Sequence, residues 1–145
     1  MLKGIPEILS PEILKVLAEM GHQDKLVLCD ANFPAERYKK YGATVLRADG
    51  IKIPELLDAI LSLYPLDTYV QTPATLMEVP ADQNVETPIW DEYRKIVAKY
   101  DERGAEAVGT MERMAFYLSC KDAYLLIQTG ETAGYANIML DKGCV

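Results

Sequence analysis

The chain has 145 residues, 50% hydrophobic and 26% charged, with a formal net charge of −7 and a pI near 4.7. That length buries a proper core in one domain, and the acidic balance excludes nucleic acid or an anionic membrane surface as the main partner. No apolar run reaches the roughly 18 residues of a membrane span and no leader pattern opens the chain, so no membrane partner is expected.

The first element is SPEILKVLAEMG. Ser10 suits the helix cap, Pro11 the first helical position and Glu12 the positive helix end. Ile13, Leu14, Val16, Leu17 and Met20 repeat at helical spacing, and Gly21 is the expected left-handed stop. KLVLCD, closing on Asp30, is a continuous apolar run of strand length. ANFPAERYKKYG reads as a long loop with one helical turn, its basic cluster Arg37–Tyr41 a solvated surface. ATVLRADG is a second strand closed by an Asp-Gly turn, and IPELLDAILSLYP a helix between Pro54 and Pro65.

A strand is expected at Thr75–Val79. TPIWDEYRKIVAKYDERG then repeats the helix grammar: Thr87 as cap, Pro88 next, Gly104 as stop, and Ile89, Tyr93, Ile96, Val97 and Tyr100 on the buried face. A short strand, EAVGT, precedes a helix, ERMAFYLSCKD. AYLLIQT and YANIML close the chain as a hairpin joined by the longer GETAG connection. Helices alternating with short apolar strands give a single α/β domain over residues 1–145, a mixed sheet flanked by helices.

Polar candidates are few. His22 is the only histidine. It follows the first helix, whose partial negative end stabilises an imidazolium and makes a usable proton donor near neutrality. Bonding a free helix carbonyl is the simpler role, and the residue alone leaves both open. Asp30 ends a strand where α/β sheets commonly hold ligands; an Asx turn into Pro34 explains it equally. The eight residues from His22 to Asp30 span at most about 26–29 Å when extended. If Lys25–Asp30 is a strand, the two side chains leave opposite ends of it, so one site uses both only if GHQD folds back or a neighbouring subunit supplies one.

Arg113 and Tyr117 are four apart and share a helix face, with Phe116 and Cys120 nearer the core. Tyr135 and Asn137 project to one side of the last strand, Ala136 and Ile138 to the other. Cys29, Cys120 and Cys144 form no CxxC pair and suit a reducing cytoplasm. With one histidine and scattered cysteines no metal is expected. GxSxG and glycine-rich phosphate fingerprints are absent. Composition and spacing stop at an α/β domain with a polar pocket.

LKGIPEILSPEILKVLAEMGHQD, DANFP, RADG, LDTYVQTPATLMEV, ERMAFY and TGETAGYANIMLDKG, in that order from residue 2 almost to the end, resemble the fucose mutarotase family, related to the ribose pyranases in an RbsD/FucU-like superfamily. The resemblance implies an isomerase that interconverts anomers of L-fucose without metal or cofactor. It implies His22 as proton donor, and Asp30, Arg113, Tyr117, Tyr135, Ala136 and Asn137 as sugar contacts. It also implies a homo-oligomer, a ring of ten or a smaller assembly. Three residues depart from the family: Ala136 replaces a glycine, Gln23 stands where glycine is usual, and Asn32 stands where some bacterial members have histidine. None removes a proton carrier. Two alternatives stand beside this reading: ribose pyranase-type pyranose–furanose exchange, whose members look richer in site histidines and use a lysine near ERMAFY, and a binding module without turnover, which has no need of a proton carrier at His22.

Overall fold

Ser10 starts α1 (Pro11–Glu19) as its sequence requires, its hydroxyl accepting from the Ile13 N–H at 3.2 Å. The stop differs from expectation. Met20 leaves the helix in extended backbone, and Gln23, not Gly21, takes the left-handed φ of 70°. An L side chain there is strained by roughly 1–2 kcal/mol. Two hydrogen bonds oppose it: the Gly21 N–H donates to Asp24 Oδ2 at 2.7 Å and the Gln23 N–H to the Lys142 carbonyl at 2.9 Å.

The computed structural model describes residues 1–145. Its strands are β1 (Lys25–Cys29), β2 (Thr44–Ala48), β3 (Ala74–Met77), β4 (Val108–Met111), β5 (Ala123–Thr129) and β6 (Ile138–Asp141). They form one six-stranded mixed sheet in the order β2-β5-β1-β6-β3-β4. β1 pairs parallel with β5 and antiparallel with β6, Leu28 opposite Ile127 on one side and Ile138 on the other. The expected terminal hairpin is therefore not formed: β1 lies between β5 and β6. The connection from Gly130 to Asn137 crosses the end of β1, where the Ala31 N–H donates to the Glu131 carbonyl at 2.7 Å.

Side-chain alternation along β1 divides the core. Leu26 and Leu28, with Leu125, Ile127, Ile138 and Leu140, pack under α1, α2 (Ile53–Leu61) and α3 (Pro88–Tyr100). Val27 and Cys29, with Leu126 and Met139, pack under α4 (Arg113–Ser119) and the 3₁₀ turn Ala35–Tyr41. Phe116 and Cys120 lie in this second core, as their spacing indicates. Tyr100 does not join the first: it is exposed, its hydroxyl donating to Asp58 at 2.9 Å, because α3 ends there and Gly104 falls beyond it. Thr87 makes no side-chain cap.

Leu126 is fully buried in the smaller core. Leu126→Ala is expected to lower the free energy of unfolding by about 2–5 kcal/mol, measured by chemical denaturation.

Candidate functional site

Two polar clusters occupy opposite ends of β1. At its C-terminal end Asp30 is buried, and Asn137 reads it twice: Asn137 Oδ1 accepts from the Asp30 N–H at 2.8 Å, and Nδ2 donates to Asp30 Oδ2 at 2.9 Å. The Asn32 N–H donates to Oδ1 at 2.9 Å, so the Asx turn is also real. Gln128 donates to the Asp30 carbonyl, and the Thr129 hydroxyl to the Cys29 carbonyl at 2.8 Å. Burial raises the Asp30 carboxyl above its ordinary value, the Asn32 and Asn137 donors opposing this and the nearby Glu131 adding to it.

The connection after β5 is built to hold this cluster. Buried Glu131 accepts the Thr132 and Ala133 N–H groups at 2.9 and 3.0 Å. Lys52 donates to the Gly130 carbonyl at 2.9 Å. Only glycine fits at position 130, because an added Cβ would lie 2.0 Å from the Asp49 carbonyl oxygen.

Tyr117 and Arg113, one helical turn apart on α4, form the neighbouring wall. The Tyr117 ring stacks on Phe33 at 5.5 Å, and its carbonyl accepts from the Tyr38 hydroxyl at 2.9 Å. Burial raises the Tyr117 phenol, with the Arg113 cation lowering it and Asp30 raising it, so all three groups share one electrostatic neighbourhood. Arg113 and Tyr117 also line an open groove of about 650 Å³ with Tyr38, Tyr41, Arg37 and Lys121. Tyr135 packs against this smaller core, and its hydroxyl donates to Gln83. Ala136 points the other way, fully buried in the larger core with its carbonyl taken by the Tyr93 hydroxyl at 2.7 Å. Its methyl is thus accommodated, and only its backbone adjoins the cluster.

His22 lies at the other end of β1. Its Nε2 is 3.2 Å from Asp67 Oδ1, and the ring sits 5.4 Å from that of Tyr69. The Asp67 side chain is 1% exposed and the imidazole 36%. Burial pushes the Asp67 carboxyl up, but the Tyr69 N–H at 2.9 Å and the His22 ring together hold it below its ordinary value. Arg103 donates to the Asp67 carbonyl at 2.9 Å. An acceptor at Nε2 assigns the proton to that nitrogen. Helix capping, the simpler role, is not what His22 does.

The fold thus gathers Asp30, Asn137, Tyr117, Tyr135 and Arg113 at one end of β1 and leaves His22 at the other. The strand between them, five residues long, spans about 16 Å at the rise of a strand. GHQD does not fold back. Sequence reasoning missed Asp67, the partner of His22. It also missed Gln128, Thr129 and Glu131, which anchor the Asp30 turn; each stands beside an apolar run with no periodicity to mark it.

A sequence profile of the RbsD / FucU transport protein family matches residues 3–145. The chain is 48% identical over 147 residues to the fucose mutarotase of Danio rerio, covering 100% of this chain and 95% of that protein. FucU from Bifidobacterium longum, a solved structure, matches at 56% identity and a TM-score of 0.95, with 99% of each chain covered. The fucose mutarotase from Streptococcus pneumoniae, solved in complex with L-fucose, matches at 43% identity and a TM-score of 0.89, again over 99% of each chain.

A carboxyl raised on folding binds its proton more tightly in the folded than in the unfolded chain. Its ionisation therefore subtracts stability as pH rises through that window. Whatever Asp30→Asn loses in hydrogen bonding, the wild type's melting-temperature advantage over it is expected to shrink from about pH 4 to pH 7, as paired thermal melts will read.

Proposed function

The chain belongs to the RbsD / FucU transport protein family, and from that premise we propose that it interconverts the α and β anomers of L-fucose by acid–base ring opening and closure. One observation carries the reading: the sole histidine is clamped by a buried carboxylate with about a third of its ring left open. A residue that only filled space or capped a helix has no use for that partner.

The reaction takes a proton from the anomeric hydroxyl and delivers one to the ring oxygen; rotation about the carbonyl carbon and closure from the other face complete it. His22 serves as the donor to the ring oxygen and recovers its proton on closure. Asp67 fixes the tautomer and orientation of the ring. Asp30 and Arg113 hold sugar hydroxyls, Asn137 fixing the Asp30 carboxylate. Tyr117 or Tyr135 helps the second proton move through a hydroxyl or a water. Only proton carriers and hydroxyl-holding groups are needed, because mutarotation already proceeds uncatalysed. Positioned acid–base catalysis contributes roughly 10²–10⁴-fold, or about 3–5 kcal/mol.

Two copies complete each site. The His22 end of one subunit meets the Asp30 end of the next, and such head-to-tail contacts, repeated with rotation, close a ring. Exposed Tyr69 at 79% beside His22, and Met114 and Leu118 at 58% and 59% on α4, are apolar surface for that contact to cover. The assembly is a homo-oligomer of ten subunits or fewer, working in the cytoplasm in keeping with its three free cysteines. No helix is long and apolar enough to cross a membrane.

His22→Ala is expected to slow anomer exchange of L-fucose by about 10²–10⁴-fold, read by exchange NMR on the anomeric protons. Asp67→Asn should lose activity in the same direction but less. An unchanged rate in His22→Ala contradicts the assignment.

A further inference from the structure

We propose that Gln83 and Trp90 are positioning residues of the sugar site, acting through Tyr135; the inference rests on the L-fucose reading. Tyr135 has a φ of 53° in a residue with a full side chain, a backbone state that needs outside contacts to persist. It is held at both ends. Its carbonyl accepts from Trp90 Nε1 at 2.8 Å, and its hydroxyl donates to Gln83 Oε1. One residue on, the Ala136 carbonyl accepts from Tyr93 at 2.7 Å. Asn137 then reads both the N–H and the carboxylate of Asp30.

The bonds form a path from α3 to the buried carboxylate. Trp90 lies in the first turn of α3, a rigid support, while Gln83 sits in an exposed segment shaped by its own N–H bond to the Pro80 carbonyl at 2.9 Å. A phenol that gives its proton to Gln83 keeps its oxygen lone pairs for an incoming hydroxyl. Gln83 therefore sets the polarity of Tyr135 toward the sugar as acceptor, and Trp90 sets the ring's position. A purely structural role would hold the chain without setting either.

Full-length Trp90→Phe removes one N–H and keeps a ring; Gln83→Leu removes the acceptor; Gln83→Glu restores it. With L-fucose, the first two are expected to raise KM about 3–10-fold, with kcat changed less than KM and melting temperature unchanged. Gln83→Glu returns KM toward wild type. Trp90 is the only tryptophan, so its single indole N–H resonance should shift saturably as L-fucose is added. Unchanged KM in both loss variants while the wild type turns over, or a lower melting temperature with no change in KM, overturns the positioning role and leaves the L-fucose reading standing. A saturable indole shift without turnover removes catalysis and leaves the positioning role. No shift and no turnover overturns both.

Discussion

A five-residue strand at the middle of the sheet keeps the His22 imidazole and the Asp30 carboxylate apart. β1 is paired along both edges, so no fluctuation short of unfolding shortens that separation. Within one copy the proposed proton carrier and the proposed sugar cradle are divided. Under the proposed function, that division places the chemistry at a contact between subunits and makes assembly part of catalysis. It also explains why each half is braced separately, His22 by Asp67 and Asp30 by Asn137.

The cradle half is built at some expense to stability. Burying Asp30 disfavours its charge, and Tyr135 carries left-handed backbone. Around them stand dense compensations: reciprocal Asn137 bonds, the Gln128 and Thr129 contacts, Glu131 gathering loop N–H groups, and a glycine at 130 where nothing larger fits. The groups proposed to bind hydroxyls are thereby fixed before a ligand arrives, which reduces what binding must order.

Local signals were legible where the physics is local. The Ser10–Pro11 start and the apolar run into Asp30 correspond to the structure. Tyr135 and Ala136 do face different cores, but not as strand residues: β6 begins only at Ile138, and Tyr135 has left-handed backbone. Reading Lys25–Asp30 as a strand puts His22 and Asp30 at its opposite ends unless GHQD folds back, and the structure has them there. The insertion of β1 between β5 and β6 was not legible, because strand order is set by long-range burial and not by loop length. Asp67 was hidden for a related reason: a lone aspartate after Leu66 looks like an ordinary loop residue until the fold buries it against His22. Gln23 shows the converse, a position whose local preference points to glycine and is overridden by two hydrogen bonds.

Whether neighbouring copies each supply half of a site is read out most sharply by mixing subunits. His22→Ala and Asp30→Asn, each inactive alone, are dissociated together, reassembled and assayed for L-fucose anomer exchange. Interfaces that join an intact His22 to an intact Asp30 should restore turnover. Recovery of activity is the predicted result; well-formed mixed oligomers that stay as inactive as either parent contradict the account.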